Sequence, residues 1–152
     1  MPITVREILA KKPQDVASVS LDATVLDAAM AMNRRHIGAV VITSGPNVVG
    51  IFTERDILNR VVAEQKDVAT TSVADVMTKP VACCQSDTKL SECRSVMTSK
   101  KIRHIPVVDN QQLVGMISIG DLLAHEVAKQ QETIQYLNEY LYGPSAESGG
   151  SS

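Results

Sequence analysis

Aromatic side chains are almost missing from this sequence. It has no Trp and one Phe, Phe52, and its Tyr residues, Tyr136, Tyr140 and Tyr142, fall in one late stretch. That leaves no material for a platform that stacks the bases of single-stranded nucleic acid. Val, Ile, Leu, Ala and Met must fill the core instead. An excess of one charge sign is also lacking. The net charge is −2, which draws the chain neither to nucleic acid nor to an anionic membrane. No apolar run reaches the roughly 20 residues of a spanning helix. The opening Met1-Pro2-Ile3-Thr4-Val5-Arg6-Glu7 lacks the basic-then-apolar order of a secretion signal. A cytoplasmic protein is the expectation.

Cysteine is scarce, with three residues, Cys83, Cys84 and Cys93. Adjacent Cys83 and Cys84 would point to opposite faces of a strand, which suits neither a metal site nor a shared disulfide. They are read as small apolar residues, with a redox role open only for an exposed Cys84. His36, His104 and His125 show no ligand spacing. No P-loop, nucleophile elbow or Gly-x-Gly-x-x-Gly run is present. No catalytic residue and no metal are expected.

What the chain has is a repeat. Gly50-Ile51-Phe52-Thr53-Glu54-Arg55-Asp56-Ile57-Leu58 matches Gly115-Met116-Ile117-Ser118-Ile119-Gly120-Asp121-Leu122-Leu123 at an offset of 65 residues. The same offset pairs Asp22 with Asp87, Ala28 with Cys93, Met32 with Met97, Ile37 with Ile102, and Val49 with Val114. No gap is needed from Val19/Cys84 to Val62/Val127. A unit of about 60 residues buries too little surface to stand well alone, so two such copies should share one folded body.

Each copy is predicted to run strand, helix, strand, strand, helix. Residues 16–19 and 81–84 are short extended segments. Val25 to Arg35 puts Val25, Ala28, Ala29 and Met32 on one helical face, and Leu90, Cys93, Val96 and Met97 do the same in the second copy. Asp22 or Thr24 can cap the first helix, and Asp87 or Thr88 the second. Strands are predicted at Ala39–Ile42 and Val48–Phe52, and at Ile105–Val108 and Leu113–Ile117. A helix follows Thr53–Asp56 through Val62, and another starts at Asp121. A leading helical piece, Val5–Leu9, recurs as Val73–Met77 at an offset of 68. Polar residues 64–72 read as the linker.

The repeated signature has its own chemistry. Thr53 ends a strand where a helix begins, so its hydroxyl and the unpaired N–H groups beside it make a site for phosphate. Asp56, three residues on, offers two acceptor oxygens suited to a ribose diol. Ser118 and Asp121 repeat the pair. The plainer alternative is a helix cap, with hydroxyl and carboxylate only satisfying backbone donors. Arg55, Arg103 and His104 are the nearby groups able to balance phosphate charge, and His104 would make binding sensitive to pH. Gly38-Ala39 stands in the first copy where Arg103-His104 stands in the second, and Pro106 has no counterpart. The two sites are therefore expected to differ.

This organisation closely resembles the CBS domain family over roughly residues 5–130. The resemblance rests on the two Gly-x-x-Thr/Ser-x-x-Asp signatures and on Arg103-His104-Ile105-Pro106-Val107-Val108. It implies an α/β (α+β) fold, in which two βαββα repeats pack through their sheets into one Bateman module. It implies that Thr53, Asp56, Ser118 and Asp121, with Gly120 inside the second signature, contact the phosphate and ribose of an adenine nucleotide: AMP, ADP, ATP or NAD, with S-adenosylmethionine lower in that order. It places adenine against Ile51, Ala82 and Ile102 in one site, and against Ala17, Ile37, Gly38, Ala39 and Met116 in the other.

The resulting division is a first CBS domain at 5–66, a second at 73–130, a helical extension at 131–143 and a disordered Gly/Ser-rich tail at 144–152. Leu123, Val127, Gln130, Ile134, Leu137 and Leu141 form a heptad-like stripe that Gly143-Pro144 would stop. Such a stripe either folds back on its own module or packs on a second chain, and homodimer contact is the favoured reading. The expected function is a regulatory nucleotide sensor, not an enzyme, acting on an unidentified protein partner. A ligand-independent scaffold is the alternative.

Overall fold

The computed structural model describes residues 3–12 and 16–142. The tail and the Gly143-Pro144 stop lie outside them. Helix α1 (Val5–Leu9) comes first. Then follow β1 (Ser18–Ser20), α2 (Val25–Arg35), β2 (Ala39–Ser44), β3 (Asn47–Thr53) and α3 (Glu54–Asp56). The helix expected through Val62 continues from α3 as π-helical turns over Ile57–Val62. A 3-10 turn at Val73–Asp75 opens the second copy, ahead of α4 (Leu90–Lys100), β4 (His104–Asp109), β5 (Gln112–Ser118) and α5 (Ile119–Tyr142). Strand β1 pairs parallel to β2, and β2 antiparallel to β3. In the other sheet β4 pairs antiparallel to β5. The sheets approach each other along β3 and β5.

The leading segments are exchanged between the copies. Val5 and Ile8 of α1 are buried with Cys93, Met97, Ile105, Val107, Ile117 and Leu122 of the second copy. Val73, Val76 and Met77 are buried with Val25, Met32, Val40, Ile42 and Phe52 of the first. The signature glycines make room for this. A Cβ on Gly50 would collide with the Met77 side chain, and one on Gly115 with Leu9. Each glycine is thus the floor on which a leading segment lies. Neither copy closes its core alone.

Residues 81–84 do not form the expected strand. They keep one parallel bridge, Cys84 to Val107, in the register of Val19 to Ile42 in the first copy. Two identifiable losses shorten the ladder. In the first copy the Val41 N–H donates to the Ala17 carbonyl at 3.1 Å. Pro106 occupies the position of Val41 and has no N–H to give. At the other end the Leu21 N–H donates to the Thr43 carbonyl in the first copy, whereas the Ser86 N–H turns to the Asp109 carboxylate at 2.9 Å.

The helix starts differ for a similar reason. Thr24 caps α2 in a full capping box with Asp27. The matching position ahead of α4 is Lys89, which makes no side-chain cap. Neither Asp87 nor Thr88 caps α4 as expected, and the Thr88 hydroxyl instead accepts from the Gln85 N–H. The linker is tied down: the Val68 and Thr71 carbonyls accept from the first-turn N–H groups of Leu26 and Val25.

Candidate functional site

Both signatures fold into the same strand-to-helix corner. The Thr53 N–H donates to Asp56 Oδ2 at 3.0 Å, and the Asp56 N–H donates back to Thr53 Oγ1 at 3.3 Å. The Ser118 N–H donates to Asp121 Oδ2 at 2.8 Å, and the Asp121 N–H to Ser118 Oγ at 3.1 Å. The helix-cap alternative is therefore physically present. It does not exhaust the groups, because each corner opens onto a cavity.

The first cavity is about 650 Å³, within the range of small-molecule sites. It is lined by Ile51, Thr53, Arg55 and Asp56 from the first copy and by Ala82, Ile102, Arg103, His104, Ser118 and Gly120 from the second, with Gly38 at its edge. Asp56 is buried, at 6% exposure. Its Oδ1 accepts from the Thr78 hydroxyl at 2.9 Å and lies 3.7 Å from Arg60 Nε. Thr78 also pairs its backbone with Ile51 through N–H to carbonyl bonds in both directions. Lys100 and Lys101 add charge at the mouth beside Arg55 and Arg103, and all of these cations are exposed. The sequence reading missed Thr78, Lys100 and Lys101. A signal existed for Thr78, which directly follows the leading segment, but none singled out the two lysines at the end of α4.

The second cavity is about 1020 Å³. It gathers Ala17, Ile37, Gly38, Ala39 and Met116 with Ser118 and Asp121, and His104 reaches it as well. Every residue singled out from the sequence thus lines one of two cavities, and Gly38, His104 and Ser118 line both. Two residues missed from the sequence dominate its polar wall. Lys12 Nζ donates to Asp121 Oδ2 at 2.8 Å and to the Met116 carbonyl at 2.7 Å. Arg6 donates to the Ser86 hydroxyl at 3.1 Å, and that hydroxyl donates to Asp109 at 2.6 Å. The bonds from Ser86 hold the Asp109 carboxyl below its ordinary range.

His104 stands where the two cavities meet. Burial pushes its pKa below the ordinary 6.5, the carboxylates of Glu54 and Asp121 oppose that, and Lys12 and Arg103 reinforce it. Cys83, not Cys84, is the exposed cysteine. Cys84 is half-buried against the core that holds Cys93. A hydrogen bond with the Cys93 thiol, followed by burial, pushes the Cys84 thiol up, which makes it a poor nucleophile. Among the described residues no cluster of three or more His, Cys, Asp or Glu is placed to hold a metal ion. No helix there is long and apolar enough to cross a membrane.

Comparison with known proteins also finds one unit twice in this chain. A profile of the CBS domain matches residues 5–63 and again 73–128. The chain belongs to the CBS domain family. It is 35% identical over 127 residues to the CBS domain-containing protein CBSX3, mitochondrial, of Arabidopsis thaliana, covering 80% of this chain and 62% of that protein. It thus spans less than two thirds of that relative's length. Among solved structures it is similar to a putative signal-transduction protein with CBS domains from Burkholderia ambifaria, with a TM-score of 0.81 and 36% identity over 84% of this chain and 96% of that one. It is also similar to a CBS domain protein from Pyrobaculum aerophilum complexed with AMP, with a TM-score of 0.71 and 27% identity over 79% of this chain and 90% of that one. The chain is a tandem pair of CBS domains of mixed helix and strand with a C-terminal helix.

Proposed function

We propose that this CBS pair is a regulatory sensor that binds an adenine nucleotide in the cavity at Thr53 and Asp56. The observation that carries the reading is the make-up of that cavity. A hydroxyl and a carboxylate at a helix start, apolar walls from both copies, and Arg55 and Arg103 at the mouth suit the phosphate, ribose and base of one ligand. The Ala82 carbonyl strengthens it. Pro106 cannot supply the N–H that Ala17 receives from Val41, so this acceptor is free of that ladder bond and suits the exocyclic amine of adenine. AMP bound to a similar CBS protein agrees with the chemistry. AMP, ADP, ATP and NAD share the adenosine half that these groups read.

Binding would shift a homodimer between arrangements and alter its contacts with a regulated protein. No turnover is part of this proposal. Calorimetry and thermal shift with AMP, ADP, ATP, NAD and S-adenosylmethionine test it, and the absence of heat and of a melting shift with all five would overturn it. A second reading, a ligand-independent scaffold, is favoured by one observation: the apolar stripe of α5 is exposed at Leu123, Val127, Ile134, Leu137 and Leu141. On that reading Asp56→Ala and Asp121→Ala leave partner capture unchanged, whereas the sensor reading requires capture to lose its dependence on nucleotide.

A further inference from the structure

The two cavities are built from the same corner, yet a different residue reaches the aspartate of each. In the first, the segment that leaves the 3-10 turn brings Thr78 to β3. Its backbone pairs with Ile51, and its hydroxyl donates to Asp56 Oδ1 at 2.9 Å. A hydroxyl can rotate, give up that bond and accept one from a ligand. In the second, the segment that leaves α1 brings Lys12 to β5. Its ammonium bonds to Asp121 Oδ2, the oxygen that also accepts from the Ser118 N–H, at 2.8 Å, and to the carbonyl of Met116 at 2.7 Å. Met116 corresponds to Ile51 in the repeat.

The carboxylate is what a nucleoside needs, because the ribose diol donates to it, whereas the carbonyl is taken in both copies, by the Thr78 N–H at Ile51 and by Lys12 at Met116. An ammonium has only donors and cannot turn round to accept. The Lys12 and Asp121 side chains are about one-third and one-fifth exposed, so their pairing is shielded from solvent more than a surface ion pair. The Ala17 carbonyl in this cavity is also already bonded to the Val41 N–H.

We infer that Lys12 is a built-in occupant of the second nucleotide cavity, so that the chain takes one nucleotide at Thr53/Asp56 and a second only when Lys12 is displaced. This rests on the nucleotide reading above. It makes Lys12 a specificity-determining residue for the number of ligands bound.

The test is calorimetric stoichiometry on the full chain with AMP, ADP, ATP and NAD titrated in parallel. The wild type is expected to take one ligand per chain and Lys12→Met two, with affinity at the second cavity raised at least about tenfold. Asp56→Asn should take none in the same range, and Asp56→Asn combined with Lys12→Met should take one. Amide shifts of Ile51 and Thr78, against those of Val114 and Met116, assign each event to its cavity even if Asp56→Asn does not fold. Two ligands on the wild type, or no more on Lys12→Met than the one that the wild type takes, would overturn the role of Lys12 and leave the nucleotide reading standing. No binding of any of the four by either protein would overturn both.

Discussion

Single residues decide the electrostatics of this molecule, and His104 is the clearest case. Burial lowers its pKa from 6.5 in the folded chain. As pH falls the unfolded chain therefore binds the proton first, and stability from this group is present above 6.5 and lost below it. His104→Gln should flatten that acid loss, measured by urea unfolding at pH 7.5 and 5.5. Nucleotide phosphate beside His104 would raise the pKa again, so binding should take up a proton and tighten as pH falls through the same window. At this scale the aspartates and hydroxyls of the signatures were legible because they occur twice at one spacing. Lys12 was not, because it lies 109 residues from Asp121 and in a stretch where the offset between copies changes from 68 to 65.

Elements show where a repeat stops being a repeat. Apolar spacing placed α2 and the four long strands within a residue or two, since burial on one face is what the spacing encodes. It could not show that α4 lacks a cap or that residues 81–84 lack a ladder. Those differences come from a Lys where Thr24 stood and a Pro where Val41 stood, against an unchanged apolar pattern. Lys89→Ser should supply the missing cap, with Glu92 placed to complete the box, and stabilise the chain by about 1 kcal/mol in thermal or urea unfolding. Thr24→Ala should cost about as much. If Lys89→Ser changes nothing, the start of α4 is satisfied by other groups.

For the whole molecule, the exchange of leading segments makes the two copies one cooperative unit. Val5 and Ile8 seal the second core and Val73 and Met77 the first. The other global feature is α5, 24 residues long, or about 36 Å at the usual rise. It packs on the module near its start, where Leu122 is buried and Glu126 pairs with Arg94. Its later apolar residues remain exposed. The proposed dimer predicts that sedimentation finds two chains, and that Ile134→Asp with Leu137→Asp yields a monomer whose melting is otherwise near that of the wild type. A wild-type monomer in sedimentation would remove the dimer from the proposal.

The sequence by itself determined the repeat, most of the elements, the family and the two hydroxyl-and-aspartate corners, because spacing and residue type are local properties written along one chain. Only the tertiary structure decided which leading segment closes which core, which cavity has a hydroxyl at its aspartate and which an ammonium, and where a strand gave up its pairing. These depend on donors and acceptors brought together from far apart in the chain. The physical reason is that burial sets the periodic pattern residue by residue, whereas hydrogen bonds and ion pairs are satisfied only in three dimensions.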